Sequence, residues 1–463
     1  MLKGRSVSRV ALGAAIVVAA VLQLMNLGAK SIWSDEAFSI FLAKQNWQGF
    51  WHILSTSEAN MSLYYVLLRG WVSFGDAAWW VRLLSALMGV MVVPVVYWIG
   101  KEVFSQRAGA VAALLFAVNP FHLRYAQEAR SYSLFVLLVS VSFLAFFYCF
   151  KQPSRFWSIC YVLSTSLALY AHFFAALAML VQLVCLTAVP ADRRRLARRQ
   201  LWLLTISIAS GVPLLCFVVF RDRGQLGWAP PVHWRDLYDV FRFMVGSGLK
   251  LAIAMVAVLM AAIAWAKKYR GTRWSMATWS GLVLALWLFL PVALTLLVSV
   301  WKPIYAPRFL IFCLPAAVLL VAGGIAEIRY AWIRHALVAA LIVGEIGPIT
   351  SYYKEPGQED WKGAVGFLAE NVQPGDIALF PNSYCELPFQ YELGHARGTM
   401  PELTVIASSS LQTSTSSSGH LWMITCATTR DVGEQLGTPG YKLEIEKRFK
   451  GVLMSKLGRE GPR

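Results

Sequence analysis

SYSLFVLLVSVSFLAFFYCF, residues 131–150, is a run of twenty residues without a charged side chain. A helix of this length covers about 30 Å, the thickness of the hydrocarbon core of a bilayer. Apolar runs of similar length recur from the N-terminus to about residue 350. The stretch therefore predicts a membrane-spanning helix, and its recurrence predicts a polytopic membrane protein.

The composition of the 463-residue chain agrees, with 57% hydrophobic residues, 14% charged residues and a mean hydropathy of +0.55. The net charge of +17 would suit nucleic acid binding if it were spread over a soluble surface. However, residues 1–350 carry 31 Lys and Arg against 12 Asp and Glu, and the remainder carries 11 against 13. The excess gathers in short breaks between apolar runs, as at 193–199 and 267–273. It therefore indicates positive-inside topology and argues against nucleic acid as a partner.

Eleven spans are predicted, near residues 10–28, 78–100, 108–121, 131–150, 156–171, 173–190, 201–220, 249–266, 276–300, 309–326 and 335–350. Lys3, Arg5 and Arg9 precede the first span, so the N-terminus is predicted to be cytoplasmic. A cleaved signal peptide is the alternative for residues 1–30, but the apolar stretch is long for one. The odd number of spans places the C-terminal region outside the cell membrane.

The predicted fold class is thus an all-α polytopic membrane protein followed by a small α/β domain. Residues 1–350 form the membrane domain, with an outer loop at 30–77, and residues 351–463 form the extracytoplasmic domain. A helix is predicted at 359–371, a turn at 373–376, and strands at 377–380, 403–407, 421–427 and 441–449 around a Ser/Thr-rich stretch at 408–418. Cys385 and Cys426 form either a disulfide or two unpaired thiols, and both alternatives remain open here.

Three polar clusters are predicted at the outer membrane face. The first is Ser34-Asp35-Glu36, just beyond the first span. A carboxylate there can accept a proton from a hydroxyl group, and the pair could help to hold a divalent metal ion, although no dedicated metal site or other cofactor is predicted. Ordinary solvation of acidic loop residues is the alternative.

The second cluster lies in the short connection 119–132 and contains Arg124, Gln127, Glu128 and Arg130. Arginines bind phosphate through charge-assisted hydrogen bonds, and an ion pair that fixes topology is the alternative. The third cluster is the proline-stiffened turn 301–308. Its Lys302 and Arg308 could neutralise a phosphate or could snorkel from a helix end. His172 and Glu345 are lone polar groups, for which we favour structural roles.

Several motifs in order resemble those of the polyprenyl-phosphate-dependent glycosyltransferases of the GT-C superfamily, which includes protein O-mannosyltransferases and the lipid A aminoarabinose transferase. The motifs are Trp33 to Ser39, Leu63-Tyr64-Tyr65, Arg82 to Leu87, Pro120-Phe121-His122, Tyr125 to Tyr132, Pro307 to Leu310 and Glu359 to Lys362. The resemblance covers most of the chain.

The resemblance implies an inverting transfer in which Asp35 is the catalytic carboxylate and Glu36 lies beside it. It further implies that Arg124, Glu128 and Arg130 lie by the donor phosphate. His122, Gln127, Tyr132 and His172 are additional candidate site residues. Family members have a basic residue or His and two prolines before Leu-Tyr-Tyr, whereas this chain has Asn60-Met61-Ser62. This departure gives more weight to Arg69, Lys302 and Arg308 as phosphate ligands.

The predicted function is the transfer of a sugar from a polyprenyl-phosphate donor to a lipid, glycan or protein acceptor at the outer face of the membrane. At about 0.8 kcal/mol per buried CH₂, a polyprenyl tail cannot leave the bilayer, so the chemistry must take place at the interface. The alternative is a transporter or flippase of lipid-linked sugars. Such proteins typically contain repeated halves and charges at the membrane midplane, and neither is evident in the sequence.

Overall fold

The computed structural model describes residues 2–220, 230–271, 274–396, 404–407, 420–426 and 441–459. By its contacts the chain divides into two compact units. The first unit comprises residues 1–25, 46–67 and 82–352, and the second comprises residues 26–45, 68–81 and 353–463. The Ser/Thr-rich stretch at 408–418 and part of the outer segment 221–248 lie outside the described residues.

The first ten helices, in chain order, are α1 (Leu2–Leu24), α2 (Ser34–Lys44), α3 (Trp47–Thr56), α4 (Ser62–Val72), α5 (Ala78–Val103), α6 (Gln106–Ala117), α7 (Pro120–Ala126), α8 (Tyr132–Lys151), α9 (Arg155–Ala171) and α10 (Ala175–Thr187). The next ten are α11 (Arg194–Ser210), α12 (Val212–Phe220), α13 (Trp234–Val245), α14 (Leu249–Gly271), α15 (Met276–Ser299), α16 (Leu314–Ala326), α17 (Ala331–Val343), α18 (Ile346–Lys354), α19 (Trp361–Asn371) and α20 (Glu386–His395). Short 3-10 helices occur at Ala191–Arg193, Pro307–Cys313 and Ser383–Cys385.

A helix lies at each of the eleven predicted span positions, which confirms the polytopic helical class. Among the described residues, six segments are long and apolar enough to cross a membrane: Ala78–Val103, Tyr132–Lys151, Leu249–Lys267, Met276–Ser299, Pro307–Ala326 and Ala331–Lys354. A seventh crossing results if Ala175–Thr187 and Ala191–Ser210, which are bent by 113°, form one span. Because other predicted spans are short or broken, as at Gly211, the number eleven and the orientation of the ends stay predictions.

Four buried polar side chains of the first unit form a hydrogen-bond network. Ser142 and Thr165 pair through their hydroxyls at 2.7 Å, and Gln182 donates to Ser142 at 2.8 Å and accepts from Tyr161 at 2.8 Å. In a lipid environment an unpaired polar group costs several kcal/mol, so this network joins α8, α9 and α10.

Close helix packing in the first unit depends on small residues. A Cβ atom added to Gly324 of α16 would collide with the backbone of Ala257 in α14. A Cβ on Gly100 of α5 would lie 2.8 Å from the Cα of Gly109 in α6. Small side chains thus let these helix backbones approach closely, as is common in membrane proteins.

The second unit contains a five-stranded sheet in the order β2-β1-β3-β5-β4. Its strands are β1 (Ile377–Phe380), β2 (Thr404–Ala407), β3 (Leu421–Cys426), β4 (Tyr441–Phe449) and β5 (Val452–Arg459). Strand β1 pairs parallel with β2 and β3, and the β4–β5 hairpin adds antiparallel to β3. The predicted α/β domain is confirmed, and the structure adds β5 and α20, which the sequence analysis did not predict.

Asp376 fixes the predicted turn before β1. Its carboxylate accepts hydrogen bonds from the N–H groups of Gln373 at 3.0 Å and His420 at 2.8 Å, and from the Trp422 indole at 3.0 Å. Burial alone would raise the pKa of Asp376, but these bonds outweigh it and lower the pKa below its usual value. The carboxylate therefore stays ionised at neutral pH and ties the turn to β3.

The second unit also joins Cys385 and Cys426, which settles the alternative that the sequence left open in favour of a disulfide. The two residues are 41 positions apart, and the bond links the short Ser383–Cys385 helix to the end of β3. Both cysteines are buried.

We expect the double substitution Cys385→Ser, Cys426→Ser to lower the free energy of unfolding of the C-terminal domain by about 4 kcal/mol, since a disulfide across a loop of this length restricts the unfolded chain. Thermal unfolding of the purified protein measures the loss, and mass spectrometry of unreduced peptides tests the bond itself. Cys216→Ser, at an exposed free cysteine, is the control. Equal melting temperatures and unlinked peptides would contradict the disulfide.

Candidate functional site

Asp35 and Glu36 occupy the first turn of α2, in the second unit. The backbone N–H groups of Glu36 and Ala37 both donate to the Trp33 carbonyl at 2.9 Å. Carboxylates are favourable here because a helix N-terminus carries partial positive charge. Glu36 is fully buried, whereas Asp35 is half-buried. Of the two predicted catalytic carboxylates, Asp35 is thus the less deeply buried, and its catalytic role stays a prediction.

A carboxylate from the C-terminal region of the same unit holds the start of α2. Glu359 Oε2 accepts hydrogen bonds from the Ser34 N–H at 3.0 Å, from Ser34 Oγ at 2.7 Å and from Trp361 Nε1 at 2.6 Å. N–H groups in the first turn of a helix have no partner within the helix, so Glu359 acts as a cap. No local pattern in the sequence indicates this role, because Ser34 and Glu359 are 325 positions apart.

Two further residues of the second unit contact the segment around Asp35. Tyr384 donates its phenolic hydrogen to Asp35 Oδ1. Glu392 Oε1 accepts from the Ile32 N–H at 2.8 Å. Both the carboxylate of Asp35 and the backbone that leads to it are thus held by residues from the C-terminal domain.

Arg69, a predicted phosphate ligand, contacts the other end of α2. Its Nη1 atom donates to the carbonyl of Ala43 at 3.0 Å and to the carbonyl of Gln45. A cation suits this position because carbonyls at a helix C-terminus lack partners and carry partial negative charge. These contacts give Arg69 a role in ending α2, and its binding to phosphate stays a prediction.

A charged cluster at Asp76 joins three segments of the second unit. Lys44 forms an ion pair with its carboxylate, His395 Nε2 lies 3.3 Å from Oδ1, and the Tyr391 hydroxyl donates to its carbonyl at 2.7 Å. The hydrogen bond from Lys44 lowers the pKa of Asp76, against an opposing effect of burial, and His395 lowers it further. A lowered carboxylate pKa contributes stability that is lost only as the pH falls through that pKa, so the cluster stays intact near neutral pH.

In the first unit, the connection that was predicted to hold polar residues forms α7 and a tight turn. Asn119 caps α7 by accepting from the His122 N–H at 3.1 Å, and Pro120 occupies the first turn. His122 is buried, with Nε2 3.3 Å from the Gly89 carbonyl. This bond gives His122 a structural function, and a role in chemistry stays a prediction.

Gln127 closes the end of α1. Its Nε2 atom donates to the carbonyls of Leu22, Gln23 and Met25 at 3.1, 3.1 and 2.8 Å, and its Oε1 accepts from the Tyr352 hydroxyl at 2.9 Å. These carbonyls lie where the helix no longer supplies donors. The amide therefore fixes α1 against α7 and α18.

Arg130 connects three of the motifs that carry the family resemblance. Its Nη1 donates to the Tyr65 hydroxyl at 3.3 Å, and its carbonyl accepts from Ser85 Oγ at 3.0 Å. Ser85 also pairs with the Tyr64 hydroxyl at 2.8 Å. Only 8% of Arg130 is exposed, so its guanidinium is held in a defined position.

Arg308 joins this group from far along the chain. Tyr125 lies close enough to Arg308 and Arg124 to interact with both charges. His172 interacts in the same way with Arg308 and Arg130. Three of the predicted cations, Arg124, Arg130 and Arg308, therefore interact with the same pair of side chains, and they are called the arginine cluster below.

Other predicted residues lie beside the arginine cluster or apart from it. Glu128 is buried and interacts electrostatically with Tyr125. The buried ring of Tyr132 packs against Tyr125, with centroids 4.9 Å apart. Lys302 is exposed in the turn after α15. A role for Lys302 in phosphate binding stays a prediction.

The segment that departs from the family pattern contacts the turn that carries His172. Asn60 Oδ1 accepts from the Phe173 N–H at 3.1 Å, and Ser62 Oγ donates to the Tyr170 carbonyl at 3.4 Å. Met61 between them has a φ of 65°, a left-handed conformation that is uncommon for a residue with a side chain. The segment thus has a defined packing role in the first unit.

Within the described ranges, no three His, Cys, Asp or Glu side chains are grouped closely enough to hold a metal ion. Asp35 and Glu36 alone would supply at most part of the oxygen shell that a divalent cation such as Mg²⁺ or Ca²⁺ requires. Water or substrate oxygens would have to complete it.

A family model described as dolichyl-phosphate-mannose-protein mannosyltransferase matches residues 63–217. This segment includes α8 and most of the residues around the arginine cluster, although not Arg308. No curated protein sequence matches the chain significantly.

Several solved structures share the fold. ArnT from Cupriavidus metallidurans bound to undecaprenyl phosphate has a TM-score of 0.62 and 12% identity, over 98% of each chain. The archaeal oligosaccharyltransferase AglB from Archaeoglobus fulgidus, in complex with an inhibitory peptide and a dolichol-phosphate, has a TM-score of 0.56 and 13% identity, over 87% of this chain and 65% of its own. The mycobacterial arabinofuranosyltransferase AftD has a TM-score of 0.52 and 15% identity, over 98% of this chain and 42% of its own. Together with the family model, these likenesses confirm the resemblance to the GT-C glycosyltransferases that the motifs predicted.

We expect Gln127→Leu to lower the free energy of unfolding by about 1–3 kcal/mol, because the buried carbonyls of α1 and the Tyr352 hydroxyl would lose their partner. The melting temperature of the detergent-solubilised protein measures this effect. Gln152→Leu, at an exposed glutamine after α8, should leave the melting temperature nearly unchanged. A Gln127 variant as stable as this control would show that the contacts are dispensable.

Proposed function

We propose that this chain, which has the GT-C glycosyltransferase fold, is an integral membrane enzyme that transfers a sugar from a polyprenyl-phosphate donor to an acceptor at the outer face of the membrane. The family model and the relatives solved with undecaprenyl phosphate and dolichol-phosphate support this class of donor. The sugar is a hexose or a pentose, and the acceptor is a lipid, glycan or protein. The reaction would serve glycosylation in the cell envelope.

The observation that carries the proposal is the arginine cluster. Arg124 and Arg130 from one short connection and Arg308 from far along the chain interact electrostatically with Tyr125 or His172. Like charges repel unless an anion neutralises them, and guanidinium groups match phosphate oxygens with paired hydrogen bonds. The buried carboxylate of Glu128, which also interacts with Tyr125, can orient the arginines. The cluster is therefore suited to the phosphate of a lipid-linked donor.

An apolar groove in the first unit fits the lipid part of such a donor. It has a volume of about 400 Å³ and is lined by side chains of α9 to α12, such as Leu169, Met179 and Leu215. Phe173, the neighbour of His172, also lines it. A polyprenyl chain in this groove would remain among apolar groups while its phosphate stayed near the arginines, which avoids the cost of exposing the tail to water.

The proposed reaction needs one proton acceptor and one leaving group. Asp35 takes the proton of the acceptor hydroxyl while the hydroxyl oxygen attacks C1 of the sugar. The bond between C1 and the phosphate oxygen breaks, and polyprenyl phosphate leaves with the electron pair. Attack from the face opposite the phosphate inverts the configuration at C1. The arginine cluster stabilises the charge that develops on the leaving phosphate.

We further propose that the protein is a multi-pass protein of the cell (inner) membrane, with a cytoplasmic N-terminus and an extracytoplasmic C-terminal domain. Basic residues before the first span and the disulfide in the C-terminal domain support this orientation, because disulfides persist in oxidising compartments. The C-terminal domain would also help to seat the acceptor.

Asp35→Asn should abolish transfer while leaving the protein folded and inserted, because an amide cannot take up the proton. Incubation with a labelled polyprenyl-phosphate sugar, followed by measurement of free polyprenyl phosphate, tests this. The exposed residue Glu370, in the same unit, gives the matched control Glu370→Gln. Parental activity of Asp35→Asn would refute the assignment, and lipid movement without release of polyprenyl phosphate would favour a flippase instead.

Arg130→Gln and Arg308→Gln should each raise the KM for the donor about 10- to 100-fold, the equivalent of losing one charge-assisted hydrogen bond to phosphate. Arg107→Gln, at an exposed arginine of α6, is the control for loss of charge alone. Melting temperatures identify any variant that loses its fold. Unchanged KM values in folded variants would exclude the cluster as the phosphate site.

A further inference from the structure

Helix α2 does not cap its own N-terminus. Trp33 stands at the capping position, and its side chain makes no capping hydrogen bond. Most helices use Ser, Thr, Asp or Asn there, whose oxygens accept from the first free N–H groups. In this protein the acceptor for the Ser34 N–H is Glu359, which lies 325 positions away in the chain.

The Glu359 carboxylate is itself firmly placed. One oxygen, Oε2, receives three hydrogen bonds, two from Ser34 and one from the indole of Trp361. Trp361 is fully buried and belongs to the hydrophobic core beside β1 and β3. Ser34 is also fully buried. The first residue of α2 is therefore tied, through Glu359, to the rigid core of the C-terminal domain.

Asp35 is the next residue along the chain from this anchor. Its carboxylate receives the hydroxyl of Tyr384, which lies one position before the disulfide-bonded Cys385. On the other side of the anchor, the Ile32 N–H is held by Glu392 of α20. The position of Asp35 is thus fixed by hydrogen bonds to Ile32 and Ser34 before it and to its own carboxylate oxygen.

We infer that Glu359 is a positioning residue for Asp35, so that the C-terminal domain holds the general base in place in addition to any role in binding the acceptor. The inference rests on the proposed function of Asp35 as proton acceptor. A general base must lie within hydrogen-bond reach of the proton that it removes. Displacement of a reacting group by about 1 Å can cost about 100-fold in rate. Loss of the cap frees the first turn of α2 to make such a shift.

The test compares Glu359→Ala with Glu359→Gln in the full-length protein, with release of polyprenyl phosphate as the readout. Glu359→Ala removes the acceptor of all three bonds, and we expect kcat to fall about 10- to 100-fold with the donor KM within twofold of the parent. Glu359→Gln keeps an oxygen that can accept from Ser34, so most of the activity should return. Glu370→Ala, at an exposed glutamate of α19, should retain parental kcat.

A second variant keeps the inference testable if Glu359→Ala does not fold. Ser34→Ala removes only the hydroxyl contact with Glu359, and we expect a smaller fall in kcat, with the KM again unchanged. If the Glu359→Ala protein folds, adding Ser34→Ala to it should not lower kcat further. The reason is that the effects of two substitutions that remove the same contact do not add.

The outcomes separate this inference from the proposed function. If Asp35→Asn is inactive while folded Glu359→Ala and Ser34→Ala proteins keep parental kcat, Glu359 is a stabilising residue only and the inference is wrong. The inference is also wrong if Glu359→Ala lowers only the melting temperature. It is equally wrong if Glu359→Gln lowers kcat as much as Glu359→Ala does. If Asp35→Asn is active, the assignment of Asp35 as proton acceptor fails, and the inference that rests on it fails with it.

Discussion

Hydrocarbon cannot satisfy a polar group, and this constraint shapes the first unit. Polar side chains buried there need partners within the protein, as the network of Ser142, Thr165 and Gln182 shows. Lys250 and Glu345 likewise form an ion pair at 2.7 Å between α14 and the break that separates α17 from α18. Charges without such partners are costly in lipid, so they collect where water or a charged ligand can reach them.

The same constraint explains why the arginine cluster points to function. Charged groups buried near one another are costly unless they are paired, and the carboxylate of Glu128 lies beside Tyr125 with the arginines. The proposed lipid-linked phosphate would accept hydrogen bonds from these guanidinium groups, and its tail would stay in apolar surroundings such as the groove along α9 to α12. The proposed phosphate binding is thus consistent with a protein that folds in a lipid bilayer.

The fold class could be predicted because a membrane-spanning helix requires a continuous apolar run, such as residues 131–150. Strand β5 could not, since it lies inside the sheet yet carries Lys456, whose ammonium packs 5.5 Å from the centre of the Trp422 ring. A buried lysine conceals the alternation that marks a strand. The number of spans is harder to predict where a helix breaks, as at Gly211. The hydropathy of a segment is the same whether its helix is straight or bent.

The sequence by itself determined the membrane architecture, the small α/β domain and the residue types of the site, because hydropathy and short motifs are local properties. Only the tertiary structure decided that Glu36 is fully buried while Asp35 is half-buried, and that Arg308 and Arg130 both interact with His172. It also decided that Glu359 caps the helix that carries Asp35. These relations join residues up to hundreds of positions apart, and no local pattern of side chains encodes such a distance.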